Sequence, residues 1–248
     1  MPLYILKIGG SVITDKNKYA TARKDVIHRI AKEIRDAKAE QDFKLILVNG
    51  AGSFGHMPVK KYGLKQGITD ERTKLAVPKV QIEVENLNRM LWDALLEQEI
   101  AAWPLHPHSF IVEENRKIKR FETEQIKAML DKDIMPLLYG DMVIDTVRGA
   151  SIISGDDIVP YLAKNLDVAA MFFGTDTSGI YTADPKKYPD ATRIDNIDNS
   201  NYNEILQHVG ESAAEDVTGG MKEKLRKIVE QAAGKKTYIF DASKERNV

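Results

Sequence analysis

Six short apolar runs punctuate the chain, at residues 3–8, 43–48, 100–105, 134–138, 168–173 and 237–240. Each is bounded by polar, Gly or Pro residues, as the central strands of a parallel sheet tend to be. Between them the apolar period lengthens to that of a helix. Residues 21–40 place Val26, Ile30 and Ile34 on one stripe with charges elsewhere, and residues 77–97 align Val80, Val84, Leu87, Leu91 and Leu95 near one face. Residues 123–130, 156–164 and 221–233 supply three further helical patterns. Strands alternating with helices predict an open α/β sheet covered on both sides. No linker, repeat or low-complexity segment interrupts the series. One domain over residues 1–248 is expected, with two functional halves meeting near residues 160–170.

Composition narrows the function classes. With 248 residues and 43% hydrophobic content, the chain can bury one sizeable core or two closely joined lobes. Thirty-six Lys and Arg face 37 Asp and Glu, a balance that argues against a general nucleic-acid surface. The absence of cysteine excludes disulfides, thiolate catalysis and cysteine-ligated metals. No apolar run approaches the roughly 20 residues of a membrane span. The chain enters "LYILKIGG" almost at once, so neither a signal peptide nor membrane association is expected, and a soluble, cytoplasmic protein is.

The candidate chemistry lies where strands end. The first run closes in "KIGGSVIT": Gly9 and Gly10 permit a tight turn, Ser11 and Thr14 add hydroxyls, and Lys7 brings a compact positive charge. The second run closes in "NGAGSFGH", three glycines in six residues followed by His56. Both turns fall at the carboxyl ends of strands, where open sheets bind ligands, and nests of backbone amides suit phosphate oxygens. Neither is a Walker A loop or a G-x-G-x-x-G fingerprint. His56 can give a charge-assisted hydrogen bond to a phosphate, but no carboxylate in view orients it as a base. His106 and His108, split by Pro107, lack metal-binding spacing, and no metal ligands are predicted. "ISGDDIVPYLAK" reads as a turn into a helix that Ser154 or Asp156 can cap. In "DVTGGMKEKL", Lys222 and Lys224 fall in the first turns of a helix, as a solvated face or as the partners of an anion.

In this order, "KIGGSVIT", "GAGSFGH", "SGDDIVPYLA", "TDTSGIYTADP" and "DVTGGMKEKL" resemble the amino acid kinase family over nearly the whole chain, in the branch whose acceptor is isopentenyl phosphate. The resemblance implies a three-layer α/β/α sandwich with an open, mainly parallel central sheet, and usually a homodimer. It also implies transfer of the ATP γ-phosphoryl group, with Mg²⁺ and no covalent enzyme intermediate. By position, Lys7, Ile8, Gly9, Gly10 and Ser11 resemble residues around the transferring phosphates, and Lys16 the lysine that stabilises the transition state. Ala51, Gly52, His56 and Gly155 match acceptor-binding positions, and Ser53 lies where the second turn approaches ATP. Asp176, Gly179, Tyr181, Asp184, Pro185, Gly220 and Lys224 resemble the nucleotide-binding part. This assigns the acceptor to about residues 1–165 and ATP to about residues 166–248. Ser178 departs from the aspartate of the family's "TDVDG", and relatives generally continue beyond "FDASKERN" into a last helix and edge strand, so a further tail is expected.

On this reading Lys16 and Lys7 stabilise the charge in transit, Lys224 holds ATP phosphates, and His56 orients the acceptor phosphate. Ala76, Val80, Val84 and Ile152 are either core or an apolar wall for a five-carbon tail. Competing readings are a fosfomycin kinase, which shares the anion cradle, and a nonenzymatic nucleotide-binding regulator, which needs no acceptor cradle.

Overall fold

The computed structural model describes residues 1–182, 188, 190–198, 200–208, 220–232 and 234–248. The elements run β1 (Leu3–Ile8), α1 (Gly10–Ile13), α2 (Lys24–Glu40), β2 (Lys44–Asn49), α3 (Gly52–Tyr62), α4 (Glu71–Glu97) and β3 (Ala102–Pro104). There follow β4 (Ile111–Glu114), β5 (Lys117–Phe121), α5 (Glu124–Asp131), β6 (Met135–Tyr139), β7 (Asp141–Asp145), β8 (Gly149–Ile153) and α6 (Gly155–Asn165). The chain continues through β9 (Ala170–Thr175), β10 (Ile180–Tyr181), β11 (Arg193–Ile194), α7 (Tyr202–His208), α8 (Gly220–Ala232) and β12 (Lys236–Asp241).

All six predicted runs become strands of one sheet, ordered β12-β9-β1-β2-β6-β3, and every described pairing in it is parallel. Alternate residues of a strand point to opposite faces, and the core follows that parity. Ile5, Ile46 and Val48 pack with Ile158, Val159 and Leu162 of α6 and Ile228 of α8. Leu6, Ile8, Leu45 and Leu47 pack with Ile27, Ile30 and Ile34 of α2 and Leu87, Leu91 and Leu95 of α4. The result is the expected three-layer α/β/α sandwich. The same parity places Lys7 on the face of Ile5, toward α6 and α8.

Two features depart from the expected pattern. The helix predicted from residue 77 begins at Glu71, where Asp70 caps it: its carboxylate accepts from Thr73 N at 2.7 Å. The chain between β3 and α6, read mostly as connection, carries a second sheet ordered β5-β4-β7-β8. Its β4–β5 hairpin turns through Asn115 and Arg116 at φ 47° and 64°, the pair of positive φ values a tight hairpin needs. Asp145 ties this turn to the next one, accepting from the backbone N–H groups of Asn115, Arg116, Val147 and Arg148 at 2.8–3.0 Å. Burial raises its pKa, but the four donors outweigh burial and bring it down to about 2. Among the described residues no helix is long and apolar enough to cross a membrane.

Candidate active site

Because β1 and β2 are neighbours with Ile8 opposite Asn49, their glycine turns leave the sheet side by side. They interlock. A Cβ on Gly10 would lie 2.2 Å from Gly52 N, and one on Gly50 would lie 2.6 Å from Gly10 N. Only bare backbone allows this approach. Gly52 also has φ +50°, a left-handed value that glycine adopts without penalty. Thr14 stitches the pair, donating to Gly10 O at 2.7 Å and accepting from Ser53 N at 3.1 Å. The second turn is also more helical than its glycines suggest, since α3 starts at Gly52 and carries His56 half-buried within it.

The charged groups converge on the same rim. Lys7 reaches the Asp156 carboxylate at 3.1 Å, and Lys224 of α8 bonds one oxygen of that carboxylate. The sequence reading offered Asp156 only a capping role. Ser154, the other capping candidate, is the N-cap residue of α6, and Asp157 completes its capping box: the Asp157 carboxylate accepts from Ser154 N at 3.0 Å and Ser154 Oγ at 2.6 Å. Asp156 is freed to bridge two lysines from opposite ends of the chain. The signal was a second acid at a helix start that needs only one. Burial raises the Asp156 pKa, but Lys224 and Lys7 outweigh it and hold the carboxyl well below the usual range. Burial depresses the Lys224 ammonium, with Asp156 opposing the shift and Lys7 adding to it. Gly155 makes room for this triad, because a Cβ there would stand 3.2 Å from the Lys7 side chain and from Val48.

A second acid organises the outer part. Asp176, just beyond β9, accepts from Ser11 Oγ at 3.1 Å and Lys16 Nζ at 3.0 Å. The Lys16 side chain is 57% exposed, against 9% for Lys7 and 8% for Lys224, so Lys16 alone of the three has freedom to move. Lys222 is exposed on α8, as a solvated face requires.

The remaining predicted residues fall in three places. Ala76, Val80 and Val84 are buried in a small cluster with Val59, Tyr139 and Met142, while Ala51 and Ile152 form its partly exposed margin. Gly55 faces the same cluster, a Cβ there lying 3.5 Å from Val84. Gly179 and Tyr181 lead into a separate small lobe, where Ile180 packs on Ile205 of α7 and Leu225 of α8. Lys244 approaches the Ser178 hydroxyl at 3.4 Å. Gly220 is the first residue of α8, and Asp184 and Pro185 lie outside the described residues. His106 and His108 flank Pro107 in a short turn; His106 Nδ1 pairs with the Tyr139 hydroxyl and His108 Nδ1 with Asp141, each at 2.7 Å.

Among the described residues no group of three or more His, Asp or Glu side chains is placed to hold a metal ion. The nearby carboxylates of Asp156 and Asp176 are engaged by lysines. The rim thus offers amides, hydroxyls and three ammonium groups, a chemistry suited to phosphate oxygens.

The chain is similar to known proteins over nearly its whole length. The model of the amino acid kinase family matches residues 2–241. The chain is similar to the isopentenyl phosphate kinase of Methanocaldococcus jannaschii, 37% identical over 99% of this chain and 93% of that protein. It superposes on an isopentenyl phosphate kinase crystal structure with a TM-score of 0.86 at 32% identity, covering 99% and 93% of the two chains. The product complex of the Thermoplasma acidophilum enzyme matches with a TM-score of 0.80 at 31% identity over 97% and 92%.

Proposed function

Since the chain belongs to the amino acid kinase family, we infer that it transfers the γ-phosphoryl group of ATP to isopentenyl phosphate, yielding isopentenyl diphosphate and ADP. The near-full-length relatives point to the acceptor. One structural observation carries the chemistry: two interlocked glycine turns, Lys7, Lys224 and the exposed Lys16 meet on one rim of a parallel sheet.

An acceptor that is already a phosphate needs little help from a base. One of its oxygens attacks the γ-phosphorus as the bond from phosphorus to the ADP oxygen breaks. The cost lies in bringing two anions together and stabilising charge that spreads over the transferring group. Lys7 and Lys224, pinned by Asp156, meet the donor phosphates as fixed positive charges. Lys16 lies between donor and acceptor, leaving Asp176 to follow the moving charge. Amides of the first turn, through Ile8, Gly9, Gly10 and Ser11, face the phosphates of ATP together with Ser53. Asp176, Gly179, Tyr181, Asp184, Pro185 and Gly220 belong to the nucleotide half. Ala51, Gly52, His56 and Gly155 receive the acceptor phosphate, and Ile152, backed by Ala76, Val80 and Val84, bounds its apolar tail. Magnesium would be held by the phosphate oxygens of ATP and would supply charge neutralisation there.

The test is an ADP-release assay with isopentenyl phosphate, fosfomycin and acidic amino acids side by side. Turnover of isopentenyl phosphate well above the others is expected, and chelation of Mg²⁺ should abolish it. Equal or faster turnover of fosfomycin would assign the cradle to a phosphonate instead.

A further inference from the structure

Lys16 is carried by a hairpin closed at its base. Thr14 and Ala22 form an antiparallel bridge, Arg23 N donates to Ile13 O at 2.8 Å, and Asp15 N donates to Thr21 O at 2.9 Å. The tip folds on itself: Asn17 N donates to the Asp15 carboxylate at 2.9 Å and Thr21 Oγ1 to Tyr19 O at 2.9 Å. Between those two residues Ala20 sits at φ 43°, a left-handed conformation unfavourable for a residue with a Cβ. A strained tip keeps its shape when contacts outside it compensate.

Thr21 N donates to Ser53 Oγ of α3 at 3.3 Å, and Tyr19 makes two further contacts. Its hydroxyl donates to Glu83 of α4 at 3.5 Å, and Lys61 of α3 stands 5.3 Å from the centre of its ring. Burial and the Glu83 carboxylate raise the phenol pKa, keeping the hydroxyl a donor. Three residues away, Lys16 reaches in another direction, to Asp176 beyond β9. The hairpin therefore links α4, the helix of Val80 and Val84, to the end of the strand that leads into the nucleotide half.

We propose that Tyr19 is a positioning residue for Lys16, clamping the hairpin to α3 and α4 so that the helix beside the acceptor also sets where the transferring lysine is rooted. The proposal rests on the reading of Lys16 given above. A long, exposed side chain is directed only as well as its backbone is held, and an ångström of misplacement can cost one to two orders of magnitude in rate. Lys7 and Lys224 are held elsewhere, so ATP binding should be indifferent to Tyr19.

Single-turnover transfer and equilibrium ATP binding would be measured for Tyr19→Phe, Tyr19→Ala, Lys16→Met and Lys16→Met/Tyr19→Ala, with thermal melting to verify folding. Tyr19→Ala is expected to lower the transfer rate about tenfold while ATP affinity stays within about twofold. Tyr19→Phe, which keeps the ring over Lys61 but loses the bond to Glu83 of α4, should recover only part of that loss. In the Lys16→Met background Tyr19→Ala should cost nothing further, because the group it positions is gone. A wild-type rate for Tyr19→Ala beside a defective Lys16→Met overturns the positioning role alone. A full tenfold loss in both backgrounds also overturns it, by showing that Tyr19 acts otherwise than through Lys16. A wild-type rate for Lys16→Met removes the underlying reading and the positioning role together.

Discussion

At the scale of single residues, the three lysines differ in burial. Lys16 is the exposed one, so its replacement should affect transfer without disturbing the fold. Methionine matches its length but carries no charge. Lys16→Met is expected to lower kcat by about two orders of magnitude, or about 2.7 kcal/mol of transition-state stabilisation, with ATP affinity nearly unchanged. Single-turnover kinetics beside an ATP-binding titration separates the two; a defect confined to binding would refute the role. Asp156 is the opposite case. Asp156→Asn leaves Lys7 and Lys224 facing each other without their shared carboxylate and should destabilise the protein by about 3 kcal/mol. ATP phosphates supply the missing negative charge, so saturating ATP should raise the melting temperature of the variant more than that of the parent. Equal shifts would mean that the triad does not face the phosphates. His56→Ala should raise the acceptor KM or lower kcat; kinetics with isopentenyl phosphate unchanged in both would remove His56 from the acceptor site.

Elements add constraints that no single side chain expresses. The turns after β1 and β2 function as one unit, since Gly10 lies against Gly52 with no space for a methyl group. Gly10→Ala must push two backbones apart and should cost at least about 2 kcal/mol as well as most of the activity. Calorimetry and turnover together check this, and an active variant of normal stability would contradict the interlock. In the second sheet Glu113 of β4 is buried against Ser151 of β8, which donates to its carboxylate. Burial pushes its pKa up from 4.5 to about 7, against the lowering effect of that hydrogen bond. An acid whose folded pKa lies above its unfolded value binds more protons when folded, so rising pH favours unfolding across that window. Glu113 should therefore contribute a loss of about 3 kcal/mol of stability between about pH 4.5 and 7. Glu113→Gln keeps a polar partner for Ser151 but has no proton to lose. Urea denaturation at pH 5 and pH 8 should show a smaller drop for the variant; an identical drop would exclude Glu113 as the source.

For the whole molecule, the sheet joins the two ends of the chain: β1 lies centrally between β9 and β2, and β12 pairs with β9. The segment after β12 is bound back to α2, where Arg29 donates to Ala242 O and Lys244 O at 2.6 and 2.7 Å, and Glu33 accepts from Val248 N at 2.8 Å. The proposed acceptor and nucleotide halves thus contribute strands to one sheet, and transfer is expected to need only local motion of Lys16. Assembly lies at this scale too. A homodimer is the expected state, and light scattering should give twice the 27.9 kDa chain mass at micromolar concentration, a monomer mass counting against it.

The sequence by itself determined the six parallel strands, because runs buried on both faces leave an unbroken apolar signal that needs no partner to be read. It also determined the glycine turns, since repeated glycine at strand ends has few other uses, and the ordered motifs that mark the family. The second sheet was not legible: β5, "KIKRF", is charged and covers only one face, so its alternation is weak until β4 and β7 lie beside it. Nor was the role of Asp156, because an acid at a helix start is locally explained by capping. Only the tertiary structure decided which of the two acids joins the Ser154 cap of α6 and which meets Lys7 and Lys224, 149 and 68 residues away in the chain. Local patterns record what a segment buries. Electrostatic partnerships among distant segments depend on where the sheet brings their ends, and that is a property of the folded chain.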